Sequence, residues 1–324
     1  MTDILIIGGG GMVGQKFAHS LASAPLSEDD RVTLFDRSFP DAAPLPGERV
    51  LGDITDRTAV SALLARRFDI IYLLASVVSG EAERDFRKGY EINLGGFWHI
   101  MSRLEAEHED SGNTYRPRLV FTSSIAVFGP PYPERIDDDF PPAPATSYGT
   151  QKAVSELLIA DLSRRGIIDG LSLRLPTICV RPGAANLAAS SFFSGIIREP
   201  LNGQEAPLPV PEDIRHWHAS PRSAAGFLRH AAGIDFERAG HRRALNLPGV
   251  SCTVGEQIAA LRDIAGNEIA ALIRPAPDQT IYRIVTGWPR DFDPQLARSL
   301  GFRAEATFHD IIRVYLEDDF AAPV

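Results

Sequence analysis

Ile4-Leu5-Ile6-Ile7-Gly8-Gly9-Gly10-Gly11-Met12-Val13-Gly14 is an apolar run that ends in four glycines and passes into a helical pattern. An unbroken stretch of isoleucine and leucine marks a strand buried on both faces, as in a parallel sheet. Gly8, Gly11 and Gly14 stand at the spacing G-x-x-G-x-x-G. Such a turn lets backbone approach a pyrophosphate closely and aims the first helical N–H groups at it, those of Met12 and Val13 among them. Glycines alone are a weak sign, because a strand-to-helix turn often needs them for geometry only. The residues downstream decide between the two.

Working outward, Val32 to Phe35, Ile70 to Leu74, Leu119 to Thr122 and Leu171 to Leu175 read as further strands, and another precedes Asp53. Met12 to Ala24, Asp56 to Arg67, Glu83 to Glu109 and Tyr148 to Arg165 read as helices, the last opening after an N-cap at Thr146 or Ser147. This alternation predicts an α/β fold: a Rossmann-type doubly wound parallel sheet with a smaller C-terminal substrate-binding lobe. Gly129 to Ala145, with six prolines and the run Asp137-Asp138-Asp139, is expected to loop over the surface. Beyond Leu175, Pro176, Pro182, Pro200, Pro207, Pro209 and Pro211 break the pattern into short segments. The nucleotide-binding domain is therefore expected over 1–176, with 213–246 returning to it through a helix at Ala224 to Ala232. The substrate lobe is expected over 177–212 and 247–324, with helices at Val254 to Ala265 and Phe308 to Leu316.

A formal charge of -9 and a pI near 5.4 offer nothing to nucleic acid or an anionic membrane, so a small molecule is the expected partner. The two cysteines, Cys179 and Cys252, form no C-x-x-C pair, which points to a reducing, cytoplasmic setting. The apolar opening at Ile4 to Ile7 is too short to span a bilayer.

Asp36 closes the second strand about twenty residues past the last glycine, where a carboxylate accepts hydrogen bonds from both adenosine ribose hydroxyls and repels a 2'-phosphate. NAD is preferred over NADP on that ground, although Arg37 beside it softens the repulsion. Asp53 and Ile54 follow the third strand, one offering a carboxylate to the adenine amino group and the other an apolar side chain to its face. Leu74, Ala75 and Ser76 end the fourth strand along the expected cofactor path.

Tyr148 and Lys152, four apart on a helix, share one face. A free phenol, with a pKa of about 10, is a poor base near neutrality, and an adjacent ammonium stabilises its phenolate. The same spacing also describes a surface tyrosine lying on an aliphatic stem. Thr122-Ser123-Ser124, at the end of the fifth strand, adds hydroxyls where doubly wound sheets bind ligands. Ser123 stands evenly between turn chemistry and a substrate contact; Ser124 is the favoured substrate contact.

In this order, the glycines, the acidic strand end, the serine and Tyr-x-x-x-Lys make the chain resemble the extended short-chain dehydrogenase/reductase family, which includes nucleotide-sugar epimerases and dehydratases. Ser123-Ser124-Ile125-Ala126-Val127-Phe128-Gly129 matches the family's serine segment. The resemblance implies a catalytic set of Ser124, Tyr148 and Lys152, NAD as cofactor, Lys152 also on the nicotinamide ribose, Thr177 in the cofactor region and Asn93 as a brace. It also implies a homodimer through the helices near 90–108 and 148–165.

Nucleotide-sugar members usually carry Asn-x-Tyr-Gly-Pro after the sixth strand and a later Arg-Asp-aromatic segment. This chain instead has Leu175-Pro176-Thr177-Ile178-Cys179-Val180-Arg181-Pro182-Gly183 and Ile214-Arg215-His216-Trp217-His218. The segments Ala189 to Gly203 and Leu245 to Gly249 are similar to a sugar-acid branch, which implies oxidation of the 2-hydroxyl of a four-carbon acid. An arginine fork suits its carboxylate. Arg181 and Arg215 are the candidates, each equally readable as a solvated or inter-loop arginine. His216 and His218 alternate as metal ligands do, but no third ligand accompanies them and hydride transfer needs no metal, so no metal site is expected. Two alternatives stay open: an epimerase or dehydratase that never releases its NAD, and a non-catalytic NAD-binding sensor or scaffold.

Overall fold

The computed structural model describes residues 1–40, 45–183 and 189–320; residues 184–188 of the expected substrate lobe and its last four lie outside them. β1 (Thr2–Ile7), β2 (Asp30–Asp36), β3 (Glu48–Leu51), β4 (Ile70–Leu73), β5 (Arg118–Ser124) and β6 (Asp169–Leu175) lie in one seven-stranded sheet. Its order is β3-β2-β1-β4-β5-β6, with Ala244–Asn246 as the seventh strand beside β6. β1 pairs in parallel with β2 and β4, β2 with β3, and β4 with β5. Ile7 is level with both Phe35 and Leu73, so the carboxyl ends of β1, β2 and β4 stop together. The chain runs from β1 outward to β3, then returns to β4 on the other side. The crevice at that reversal is where such sheets take their ligands.

Ile4 to Ile7 are buried, as an inner strand requires. α1 (Met12–Ser23) follows the glycine turn, and α2 (Arg57–Leu64) is capped by Asp56, whose carboxylate accepts from the Thr58 and Ala59 N–H groups. The helix expected from Glu83 to Glu109 is broken. α3 (Ser79–Arg84) stops at Asp85, whose side chain caps α4 (Phe86–Tyr90) by accepting from the Lys88 N–H. A π-helical turn, Glu91–Gly96, then leads into α5 (Phe97–Asp110). Asp85 prefers a cap to a helix interior, and Gly95-Gly96 stabilises helix poorly, so the run breaks where these residues fall. Along α5, Phe97, Ile100, Met101 and Leu104 recur on one face and join Leu5, Ile7, Leu73 and Phe121 in the core. α6 (Ser147–Arg164) is capped by Thr146, whose hydroxyl accepts from the Gly149 N–H.

Two compact units divide the chain. The first comprises 1–127, 146–174 and 225–245, and holds the sheet's six main strands nearly whole. The second comprises 128–145, 175–224 and 246–324. Proline-rich 129–145 forms no helix or strand, as expected, but it is not simply a surface loop. Ile136 is buried and bridges Phe292, and the Asp137 carbonyl accepts from the Asn246 side chain. The second unit also contains sheet that the proline pattern does not predict. Arg215–Ala219 runs antiparallel to Val250–Thr253 and parallel to Thr177–Ile178, and Ile273–Pro275 runs parallel to Ala206–Leu208. Its core gathers Phe193, Ile196, Leu261, Ile311 and Ile312 around helices Ser191–Leu201, Val254–Ala265 and Phe308–Asp318.

Candidate active site

The glycine turn is packed too closely for side chains. Gly8 has φ +93°, and a Cβ there would lie 2.5 Å from the Ala75 nitrogen. One on Gly14 would lie 2.3 Å from the Gly8 carbonyl oxygen, so α1 starts hard against the turn. Gly11 is the N-cap of α1 and offers no side-chain acceptor to the first-turn N–H groups, at Met12 and Val13. Beside the turn lies a cavity of about 300 Å³. Gly8, Gly11, Asp36, Asp53, Ile54, Leu74 and Ala75 line it, joined by Arg37 and Ser76. A glycine cradle that excludes Cβ atoms, a helix N-terminus and a carboxylate at the tip of β2 fit a dinucleotide.

The Asp36 carboxylate accepts from the Gly10 N–H at 2.9 Å and from the Arg37 N–H at 2.7 Å. Asp53 accepts from the N–H and hydroxyl of Thr55, and its other oxygen lies 3.9 Å from the Arg37 guanidinium. Arg37 therefore leans toward Asp53. Asn93, on the π turn, accepts from the Val77 N–H and donates to both the Val77 carbonyl and the Gln151 side chain. It ties the segment after β4 to α6.

On α6, Lys152 is 3% exposed. Its Nζ donates to the Thr122 carbonyl at 2.8 Å and stands 4.5 Å from the Phe121 ring centroid and 5.5 Å from that of Tyr148. Burial pulls the ammonium down to a pKa of about 7, opposed by the negative charge of Glu156. Tyr148 is half-buried one turn earlier. An ammonium in this position can stabilise a phenolate. Ser124 is half-buried at the end of β5, its oxygen accepting from the Ala126 N–H at 3.1 Å. Ser123 points elsewhere. It is buried, and its hydroxyl donates to Glu156 at 2.5 Å. Successive side chains on a strand face opposite ways, and the hydroxyl that the sequence leaves between turn chemistry and a substrate contact is here bonded to Glu156.

Within the second unit the Thr177 hydroxyl lies 2.6 Å from His216 Nε2, while His216 Nδ1 lies 2.9 Å from the Pro289 carbonyl. Nδ1 carries the proton in that arrangement, so Thr177 donates to Nε2. Burial lowers the His216 pKa to about 4 and that of His218 as well. Both are neutral core histidines against Phe193, His216 stacked on its ring and His218 edge-on to it. Among the described residues no group of three His, Cys, Asp or Glu side chains is arranged to hold a metal. Arg181 donates to the Ile178 carbonyl and the Ser190 hydroxyl. Arg215 donates to the Ser251 carbonyl and pairs with Glu256 at 3.2 Å. Each thus has the inter-loop partners of its second alternative.

Sequence reasoning misses Glu156 and Arg174. Their signals are an acid four residues past Lys152 on the same helical face, and a lone charge inside the strand run Leu171 to Leu175.

Residues 4–218 match the model of the NAD dependent epimerase/dehydratase family, and the chain belongs to that family. It is 40% identical to the D-erythronate dehydrogenase of Cupriavidus necator, over 98% of each chain. It is 37% identical to that of Haemophilus influenzae, over 98% of this chain and 99% of the relative. Among solved structures, one described as a nucleoside-diphosphate-sugar epimerase from Agrobacterium tumefaciens superposes with a TM-score of 0.92 at 52% identity, covering 98% of this chain and 94% of the other.

Proposed function

We propose that this protein is an NAD-dependent dehydrogenase that oxidises the 2-hydroxyl of a small sugar acid, D-erythronate first, to the 2-oxo acid. The observation that carries it is the buried Lys152 ammonium one turn from Tyr148, in a chain alike over nearly its whole length to two D-erythronate dehydrogenases. Gly8, Gly11, Met12, Val13 and Gly14 would hold the pyrophosphate of NAD, Asp36 the adenosine ribose, and Asp53, Ile54, Leu74 and Ala75 the adenine side of the path. Bound there, NAD supplies the hydride acceptor. Tyr148, its phenolate stabilised by Lys152, removes the hydroxyl proton, and Ser124 fixes the hydroxyl by a hydrogen bond. Arg181 and Arg215 are the candidate carboxylate partners, each exchanging a protein acceptor for the acid.

The 52% identity to a protein described as a sugar-nucleotide epimerase favours a second activity, in which NAD is reduced and reoxidised within one turnover. Leu175 to Gly183 and Ile214 to His218 lack the segments usual for that substrate class. NADH absorbance with NAD and a panel of four- to six-carbon aldonic acids, alongside UDP- and dTDP-sugars, separates the two. Net NADH on erythronate supports the dehydrogenase; silence on every acid with conversion of a sugar nucleotide replaces it.

A homodimer through α5 and α6 is part of the same proposal, supported by Trp98 and Leu157, which stand 47% and 72% exposed on those helices. Light scattering should give twice the chain mass, and a Trp98→Glu/Leu157→Glu variant the monomer; an unchanged mass in the variant excludes this surface. No helix among the described residues is long and apolar enough to cross a membrane. A cytoplasmic setting is supported by two buried, free cysteines.

A further inference from the structure

Glu156 is 4% exposed, lies one turn beyond Lys152 on α6, and has no part in the proton and hydride steps above. One of its oxygens accepts from the Ser123 hydroxyl at 2.5 Å and from Arg174 Nε at 3.0 Å. The other accepts from Arg174 Nη2 at 2.7 Å. Arg174 is itself 3% exposed. Apolar side chains often replace a buried ion pair without loss of stability, because desolvating two charges offsets their attraction. Stability alone is therefore a poor account of this one. Its placement offers a better account. Neighbouring residues of β5 are fastened to side chains one turn apart on α6: the Thr122 carbonyl to Lys152, and the Ser123 hydroxyl to Glu156. The next residue is Ser124.

We infer that Glu156 is a positioning residue: its carboxylate, clamped by Arg174 of β6, fastens the end of β5 to α6 and so sets Ser124 and the Thr122 carbonyl against Tyr148 and Lys152. The inference rests on the dehydrogenase proposal for what Ser124, Tyr148 and Lys152 do. Two contacts between a strand end and a helix fix both distance and rotation, while the Thr122 hydroxyl holds the same strand end to the Leu73 carbonyl of β4. The negative charge of Glu156 also opposes the burial that lowers the Lys152 pKa. Among the described residues, Tyr148 and Glu156 flank Lys152 on its own helix, β5 presents the Phe121 ring and the Thr122 carbonyl to it, and Arg174 of β6 reaches it only through Glu156.

The chain has three lysines, Lys16, Lys88 and Lys152, so ε-carbon-labelled lysine gives an NMR titration of Lys152 in the folded protein without substrate. In Glu156→Gln, which keeps an acceptor for Ser123 but removes the charge, the Lys152 midpoint should fall by about one pH unit. Its kcat should fall about ten- to hundredfold, while the NAD dissociation constant stays within about twofold. Ser123→Ala removes one fastening and no charge. It should leave the Lys152 titration in place and lower kcat several-fold, a split that mere structural damage does not produce. Wild-type kcat in both variants, with an unmoved Lys152 midpoint in Glu156→Gln, overturns the inference. If Glu156→Gln does not fold, wild-type kcat in Ser123→Ala overturns it alone. Failure of the wild-type protein to oxidise any acid sinks the dehydrogenase proposal only; the Lys152 titration in Glu156→Gln then still decides whether Glu156 governs the lysine.

Discussion

Replacing Lys152 with methionine should abolish turnover and, unusually for a catalytic variant, stabilise the fold more near neutrality than in alkali. Methionine occupies the volume of the lysine stem and brings no charge into the interior. The magnitude follows from the lysine's titration, since burial takes its pKa from 10.5 to about 7. Between those values the unfolded chain binds a proton that the folded chain does not, so the wild-type protein gains stability as pH rises. Below about pH 7 the ammonium is charged in both states, and the full cost of burying it is present. At about 1.4 kcal/mol per unit, raising the pH from 7 to 9.5 returns about 3 kcal/mol to the wild type and nothing to the variant. The unpaired Thr122 carbonyl left in the variant costs about 1–3 kcal/mol at every pH and cancels from the comparison. Melting curves of both proteins at about pH 6.5 and pH 9.5 test this. The variant's advantage should shrink between the two by about 3 kcal/mol, or about 6–12 °C for a domain of 150–250 residues. An equal difference at both values would refute the reasoning, because Lys152 would then titrate as an exposed lysine does.

Tyr148→Phe should lower kcat by about 10²–10⁴ with little change in NAD affinity, since only the proton acceptor is lost; full turnover in this variant would remove Tyr148 from the chemistry. Gly14→Ala places a methyl 2.3 Å from the Gly8 carbonyl oxygen, so α1 must draw back from the turn. Calorimetry should then show NAD binding weakened at least about tenfold, and an unchanged affinity would mean that the turn can relax. Asp36→Ala should raise kcat/KM with NADP and lower it with NAD, as the 2'-phosphate loses a repelling carboxylate beside Arg37. An unaltered preference between the two would place cofactor choice elsewhere.

β1 is readable without a structure because its burial on both faces forces four consecutive apolar residues, and Gly8, Gly11 and Gly14 are readable because backbone contact leaves no room for a Cβ. Asp36 follows from position alone, at the tip of β2. What the sequence conceals depends on contacts between distant segments. Ser123 and Ser124 are chemically identical and adjacent, and only the partner across 33 residues, Glu156, shows which is consumed by the interior. Arg181 and Arg215 look like forks for a substrate carboxylate until the Ser190 hydroxyl and Glu256 are found beside them. The break within 83–109 is half visible: Asp85 and Gly95-Gly96 are weak helix residues, but the cap on Lys88 and the π turn depend on how the flanking segments pack.

That π turn makes residue count, as well as residue identity, a constraint on this stretch of chain. A turn of Glu91–Gly96 holds one residue more than an α-helix needs, and removing any one of them would let the helix close into regular form at a cost of about 100° of rotation between its two halves. If the half carrying Phe97, Ile100, Met101 and Leu104 stayed seated on the sheet, Gly89 would swing away from Gln151, which it now approaches so closely that a Cβ would stand 2.9 Å from the amide nitrogen. If the other half stayed, the apolar stripe would leave the core. A substitution on the turn acts through the neighbours of one side chain, as at Asn93 with Val77 and Gln151, whereas a change in its length sets the cofactor side of the sheet and its hydrophobic cover in conflict.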